Sequence, residues 1–355
     1  MAPSVQELAG ESVVAMVEPG RWCGAEITPN GGAGEPRGTL GILNQVTMLG
    51  SVLPRLTLQP ACPMPNDSDC FPGMMPHAQQ YQAKVDGVRP LARDTWAVRI
   101  RQPQLARAIT PGQFFMVRPT SGSDPLLGRP FALYDIYCDD DGQPAGVEFG
   151  YVVVGKLTSL MRTWQRGASV TLWGPLGNGF PVPSSARLLC IAGGIGQTPF
   201  LGVAREALGL QAYGQPTRAL TRKPEHVTLC YGVRSVDYAA GLDDFKQPGL
   251  NVHVATDDGS LGHHGLVTDL LHEQLDAGTA DTEVYCCGPE PMMKAVGEIC
   301  LAARVPCWLS LETPMACGFG ACFSCVTKVK VSDDDWDYRR TCVEGPVFRA
   351  EQLIL

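Results

Sequence analysis

ARLLCIAGGIGQTPFLGVAREALG, residues 186–209, decides how the chain divides. A short apolar run suited to a buried strand ends at Gly193, Gly194 and Gly196, and a helical pattern starts directly behind them. A strand feeding a helix through a glycine turn is the repeating unit of a parallel sheet, whose neighbouring strands need a crossover between them. The theme returns in HVTLCYGVRS (226–235), LNVHVATDDGS (250–260) and TEVYCCGPEPMMKAVGEICLAA (282–303). Together these stretches predict a parallel α/β domain over residues 184–309. Its glycines would let the phosphates of a dinucleotide reach the helix N-terminus, but the motif is not G-x-G-x-x-G, and a tight strand-to-helix turn explains it equally well. Cys287, Gly288 and Pro289 are more specific, because they end a strand at the carboxyl edge, where α/β sheets place ligands. The alternative for Cys287 is a buried strand-end thiol. TDDGSLGHHGLVTDLL (256–271) reads as a turn-rich loop, with His263 and His264 as loop residues rather than ligands.

Upstream, the periodicity changes. YQAKVDGVRP (81–90), TWAVRIRQP (95–103), QFFMVRP (113–119), PFALYDIY (130–137), VEFGYVVVG (147–155) and SVTLWGP (169–175) are partly alternating runs separated by Gly, Pro and Asp. That pattern predicts an antiparallel six-stranded β-barrel over residues 79–183. In GRPFALYDI (128–136), Arg129 can offer a planar guanidinium to a pyrophosphate, Pro130 stiffens the approach, and the strand can lie along a flavin ring. Alone, Arg-Pro before a strand is a common turn. It gains weight beside YVVVGKLTSLM (151–161), where Gly155 and Thr158 open a helix suited to phosphate. WGPLGNGF (173–180) supplies a rigid exit from the barrel.

The first 78 residues differ from both. They are rich in Gly and Pro and lack a sustained hydrophobic period, so little packed structure is expected there. TLGILNQVTMLGSVLPRLTL (39–58) could form a short strand or helix, with nothing flanking it to bury its apolar face. Cys62 and Cys70, without a nearby histidine, are a weak metal signal, and translation from Met74 or Met75 is a further expectation.

The net charge of −8 with no basic block gives no footprint for nucleic acid, and no apolar run is long enough to span a bilayer. The expectation is a cytoplasmic protein. Fourteen cysteines without a secretory-signal pattern argue for buried thiols plus a metal or redox site rather than a disulfide scaffold. Ten are scattered, and most read as core residues. The other four, Cys317, Cys322, Cys325 and Cys342, are spaced C-x4-C-x2-C-x16-C within residues 310–355. Structural zinc usually draws on two C-x2-C hairpins, and Cys342 has no such neighbour. The spacing is instead the plant-type ligand pattern of a [2Fe-2S] cluster, with zinc and unliganded thiols as the alternatives. Gly318 and Gly320 would let backbone N–H groups turn toward the cluster sulfurs.

In order, RPFALYDI, GPLGNGF, GGIGQTP, DDGSLGHHGLVT, CGPEPMM, CGFGACFSC and CVEGPVF resemble the ferredoxin-NADP reductase superfamily. They are most similar to its iron-sulfur branch, the electron-transfer subunits of NAD-dependent two-subunit dihydroorotate dehydrogenases. The resemblance covers residues 79–355, roughly three quarters of the chain. It implies a multidomain ferredoxin-reductase-like fold with an FAD-binding barrel, an NAD-binding domain and a C-terminal [2Fe-2S] segment. It also implies an FMN-containing dihydroorotate dehydrogenase catalytic subunit as partner, in a heterotetramer serving pyrimidine biosynthesis. Arg129, Pro130, Phe131 and Ala132 would contact FAD, as would Tyr151, Val152, Val153, Leu157 and Thr158. Cys287 would line the pocket near nicotinamide and flavin without bonding covalently. Two positions depart from the pattern: Ala132 stands where a serine is usual, and Leu157 where a second glycine is usual. They motivate a scaffold subunit that has lost FAD as one rival. A reductase subunit for ferredoxin, a hydrogenase or an oxygenase is the other. Arg234 leaves NAD against NADP open.

Overall fold

The computed structural model describes residues 12–18, 21–26, 78–122 and 124–355. In the N-terminal stretch expected to carry little packed structure, β1 (Ser12–Glu18) and β2 (Arg21–Glu26) pair antiparallel, with Met16 opposite Trp22. The valines of SVVAMVE favour extended backbone, a local preference outweighed in our reading by the surrounding Gly and Pro. Residues 39–58, Cys62, Cys70, Met74 and Met75 lie outside the described residues.

From residue 79 the expected runs become β3 (Gln79–Ala92), β4 (Thr95–Arg101), β5 (Phe114–Pro119), β6 (Arg129–Ala132), β7 (Asp135–Cys138), β8 (Pro144–Val152) and β9 (Ser169–Leu176). Helices α1 (Pro103–Ala108) and α2 (Lys156–Met161) interrupt them. Six runs give seven strands because PFALYDIY changes partner midway. Leu133 N–H donates to Gln113 O on the β5 side, whereas Tyr134 N–H donates to Glu148 O on β8. One continuous stretch of chain therefore supplies both end strands of the order β6-β5-β9-β3-β4-β8-β7 and brings the two ends of the sheet together. Val98, Ile100, Phe115, Val147, Phe149 and Leu172 fill the interior.

The second domain contains β10 (Arg187–Gly193), α3 (Thr198–Ala207), β11 (His226–Val233), β12 (Leu250–Thr256), β13 (His263–His264), α4 (Val267–Asp276), β14 (Thr282–Cys287), α5 (Glu290–Ala303) and β15 (Cys307–Ser310). All its strands run parallel, in the order β13-β12-β11-β10-β14-β15. The chain leaves β10 for β11 on one side and returns to β14 on the other, so the sheet reverses direction at β10. Residues of α3 pack on one face, with Phe200 and Val203 among them, and those of α4 and α5 on the other, with Leu271 and Val296. Cys190, Cys230, Cys286, Cys300 and Cys307 are buried as core cysteines, but Cys138 is exposed.

Beyond β15 the chain forms an antiparallel hairpin of β16 (Val326–Lys330) and β17 (Trp336–Arg340), then returns as β18 (Val347–Arg349). That last strand lies antiparallel on β15, pairing Val347 with Ser310, and Leu311 N–H donates to Pro346 O at 2.9 Å. The 310–355 segment thus ends inside the sheet of the second domain. No helix among the described residues is long and apolar enough to cross a membrane.

Candidate redox site

The four cysteines of the spacing motif meet in two couples. Cys325 and Cys342 are buried with their sulfurs 3.2 Å apart, and exposed Cys322 lies near enough to half-buried Cys317 for that thiol to help lower its pKa. Cys325 is delivered by the turn into β16, Cys342 by the turn leaving β17. The two turns are locked where Thr341 N–H and its hydroxyl both donate to Cys325 O at 2.9 Å. The Ser324 hydroxyl lies 3.2 Å from the Cys322 sulfur, and the backbone at Ser324 and Cys317 favours the Cys322 thiolate as that at Gly320 favours the Cys342 thiolate. Burial acts to raise the Cys322 thiol, yet the Ser324 hydroxyl and this backbone outweigh it and hold it at about 6. Cys325 is also held at about 6, chiefly by the Cys342 thiol, which keeps the couple's proton. Stabilised thiolates are what a soft metal centre needs. No three His, Cys, Asp or Glu side chains converge as around a single metal ion among the described residues. Two couples of thiols fit a two-iron centre, with two ligands for each iron.

The cluster loop rests on the barrel. Gly318 has φ +81, and a Cβ there would stand 2.6 Å from Met116 Cγ; at Gly320, φ +90, it would stand 2.7 Å from Val343. Phe114, Met116 and Leu176 of the barrel share one apolar cluster with Cys325, Cys342 and Val343.

The residues expected around a flavin also come together. The Phe131 ring lies 4.5 Å from Phe149 and 6.4 Å from Tyr151, so β6 and the end of β8 converge. Arg129 is exposed, and its guanidinium donates only to the carbonyls of Leu127 and Gly128, with no ion pair among the described residues. Lys156, at the first position of α2, pairs with Asp124 and ties the loop before Arg129 to that helix. Tyr151 Oη is buried without a partner among the described residues. Leu126, Leu127, Val154 and Leu160 are exposed around this rim. A guanidinium free of carboxylates, an unpartnered phenol and an exposed apolar border fit a flavin dinucleotide. Leu157 turns its side chain into the barrel core and leaves only its backbone to the rim. The Thr158 hydroxyl accepts the N–H groups of Val154 (3.0 Å) and Gly155 (2.9 Å), so Thr158 caps the helix. Pro130, Ala132, Val152 and Val153 are half-buried along the two strand ends.

In the second domain, the turn after β10 packs on the turn after β14. A Cβ on Gly193 would stand 2.5 Å from Met292 Sδ, and one on Gly196 would run into the Cys287 carbonyl; these glycines serve packing. Gly194, at φ +56, has nothing within 4 Å of where a Cβ would stand. Gly288 is half-buried and Pro289 exposed beside it. Cys287 is half-buried and its thiol is pushed up to about 12, first by burial and further by Glu312, against a hydrogen bond from Ser310. It is a neutral thiol at neutral pH, which suits a pocket wall. Gln197, at the start of α3, is fully buried with both amide atoms unpartnered among the described residues. Gln197 and Ser310 escaped the sequence reading; the only available signal was a polar residue inside an otherwise apolar strand-turn motif.

A cavity of about 380 Å³ opens between the barrel and the second domain, lined by Arg89, Arg99, Asp135, Glu148, Arg205 and Asp244 among others. None of the expected site residues lines it. Its charges pair with each other, Arg89 with Glu148 (2.7 Å) and Asp244 (2.8 Å), and Arg205 with Asp135, so it reads as a structural network.

Comparison with known proteins adds the following. The iron-sulfur cluster binding domain of dihydroorotate dehydrogenase B matches residues 312–354, and the oxidoreductase NAD-binding domain matches residues 190–298. The dihydroorotate dehydrogenase B (NAD(+)) electron transfer subunit of Desulforamulus reducens is 36% identical over 277 residues, covering 77% of this chain and 98% of that protein. The corresponding subunit of Bacillus caldolyticus is 35% identical over 275 residues, covering 76% and 97%. Among solved structures, that of an NADH-dependent reduced ferredoxin-NADP oxidoreductase superposes with TM-score 0.63 at 27% identity, over 77% of this chain and 89% of the other. The ferredoxin reductase of carbazole 1,9a-dioxygenase does so with TM-score 0.53 at 25% identity, over 64% and 67%.

Proposed function

The chain belongs to the electron transfer subunits of dihydroorotate dehydrogenase B (NAD(+)), and from that membership we propose that it receives electrons from an FMN-containing catalytic subunit in a cytoplasmic heterotetramer. It is an oxidoreductase subunit of pyrimidine biosynthesis, working with FAD, a [2Fe-2S] cluster and NAD+ and acting together with a catalytic partner subunit. The flavin exchanges single electrons with iron-sulfur centres and a hydride with nicotinamide, which is why both cofactors are needed in one chain.

The protein's part is placement. Cys317 with Cys322, and Cys325 with Cys342, hold the cluster, and the backbone at Cys317, Gly320 and Ser324 favours the thiolates. Arg129 meets the flavin pyrophosphate while Pro130, Phe131, Ala132 and Tyr151 to Val153 supply the wall. Gly194, Cys287, Gly288 and Pro289 receive the nicotinamide nucleotide at the point where the sheet reverses. Cys287, kept as a thiol, shapes that pocket without bonding to it. Residues 79–183, 184–309 and 310–355 divide the work between flavin, nucleotide and cluster.

The observation that carries this reading is the meeting of Cys325 and Cys342, 3.2 Å apart and with Cys317 and Cys322 beside them, on two turns seated against the barrel. The test is to mix the purified chain with the catalytic subunit from the same genome and follow NADH formation from dihydroorotate and NAD+. Turnover should require both subunits and vanish in Cys322→Ser. FAD and iron bound without NADH formation would move the assignment to a reductase subunit for ferredoxin, a hydrogenase or an oxygenase. A flavin content far below one per chain would favour the scaffold reading.

A further inference from the structure

Trp173, half-buried on β9, touches two sites at once. Its Nε1–H donates to the carbonyl oxygen of Cys317 at 2.8 Å. The far edge of the same ring lies against Gly128, the residue in front of Arg129: a Cβ at Gly128 would stand 2.5 Å from Cη2 and 3.3 Å from Cζ2. No other side chain among the described residues hydrogen-bonds the Cys317 carbonyl.

We propose that Trp173 is a positioning residue for the iron-sulfur centre: it clamps the Cys317 peptide against the barrel and so raises the reduction potential of the cluster. In a trans peptide the carbonyl and the following N–H point in opposite directions. The Cys317–Gly318 bond is trans, so drawing the Cys317 carbonyl toward the indole aims the Gly318 N–H away from it, back into the cysteine loop. Hydrogen bonds to the sulfurs stabilise the more negative, reduced cluster and move its potential upward. Because the ring also rests on Gly128, the entry to the flavin strand and the first cluster ligand are held by one rigid plate.

The inference deepens the functional reading above and assumes its cluster. Trp173→Phe keeps the aromatic bulk and removes the donor. In the full-length protein, an EPR-monitored redox titration should find its cluster midpoint more negative, by roughly a tenfold shift toward the oxidised form at a fixed ambient potential, 59 mV for a one-electron couple. Chelators should also strip its iron faster, while flavin content stays at the wild-type level. Gly128→Ala, whose Cβ pushes the ring while the indole and every cluster ligand stay in the sequence, should shift the midpoint in the same direction. A wild-type midpoint in Trp173→Phe overturns the proposal, since a role in packing alone would survive that change. Absence of iron from the wild-type protein would instead overturn the cluster reading on which it rests.

Discussion

Gly318 and Gly320 stand in the sequence as glycines that let a loop close around sulfurs, and they do adopt left-handed backbone, with φ +81 and +90. The structure adds a second requirement, because side chains at these positions would meet Met116 and Val343. Cysteine spacing could show the residues but not this cause, since Met116 lies some two hundred residues upstream. Gly318→Ala combines left-handed strain of about 1–3 kcal/mol with a collision against a buried methionine. Iron and acid-labile sulfide per chain should fall well below the wild-type level in that variant. Gly122→Ala is the matched control: its φ of +89 is equally left-handed, but nothing lies within 4 Å, and iron content should stay unchanged. Trp173 marks the limit of reading single residues. Its place in WGPLGNGF suggests a rigid turn, and only the folded chain brings its indole to Cys317.

At the scale of elements, strands and helices of the two main domains were legible because their periodicities are strong and their boundaries carry Gly and Pro. The break between β6 and β7 was not, since PFALYDIY is one continuous strand-forming run and its change of partner depends on where Gln113 and Glu148 stand. The start of α2 shows the same limit in another form: the sequence marks Thr158 only as a cofactor contact, while in the fold its hydroxyl also satisfies two backbone N–H groups of its own turn. Thr158→Ala should therefore cost about 1 kcal/mol, the usual loss of a helix cap. Thermal unfolding of the apoprotein should show the drop, and Thr158→Ser should restore it. A variant that loses flavin affinity with no change in thermal stability would return Thr158 to the ligand.

For the molecule as a whole, two features tie stability to conditions or to single side chains: buried thiols and a polar network joining the barrel to the second domain. Burial, with Glu273 adding to it, pushes Cys230 up to about 12, and burial likewise raises Cys190 and Cys286 above their ordinary range near 9. In the unfolded chain these thiols ionise near pH 9, whereas in the folded chain they keep their protons. Above pH 9 the unfolded state therefore binds fewer protons, and stability falls as pH rises, by about 1.4 kcal/mol per pH unit for each such thiol. Urea midpoints measured from pH 8 to 11 should decline steadily, and Cys230→Ala should flatten the slope whatever it does to the midpoint at pH 8. The network joins residues far apart in sequence: Asp244 accepts from Arg89 at 2.8 Å and from the Tyr134 hydroxyl at 2.7 Å. Tyr134 is fully buried, so Asp244→Ala would strand its hydroxyl and should cost about 1–3 kcal/mol in thermal or urea unfolding. Nothing in the local sequence pairs these residues, because isolated Arg and Asp in strands and loops look like ordinary solvated surface.

The final strand has a consequence for how such a chain can vary. Ser310 and Val347 are paired neighbours on β15 and β18, so the cluster-bearing stretch leaves and re-enters the sheet at a single spot. Everything between behaves as a cassette on a closed hinge: joining its two ends with a tight turn would leave every other strand of that sheet in its order. Lengthening or exchanging the cassette costs little in loop-closure entropy, which grows only slowly with length. Two splice points would cut the stretch out of the sheet, but a graft would also have to carry its seat on the barrel, Met116 and Leu176 against Gly318 and Trp173 against Cys317.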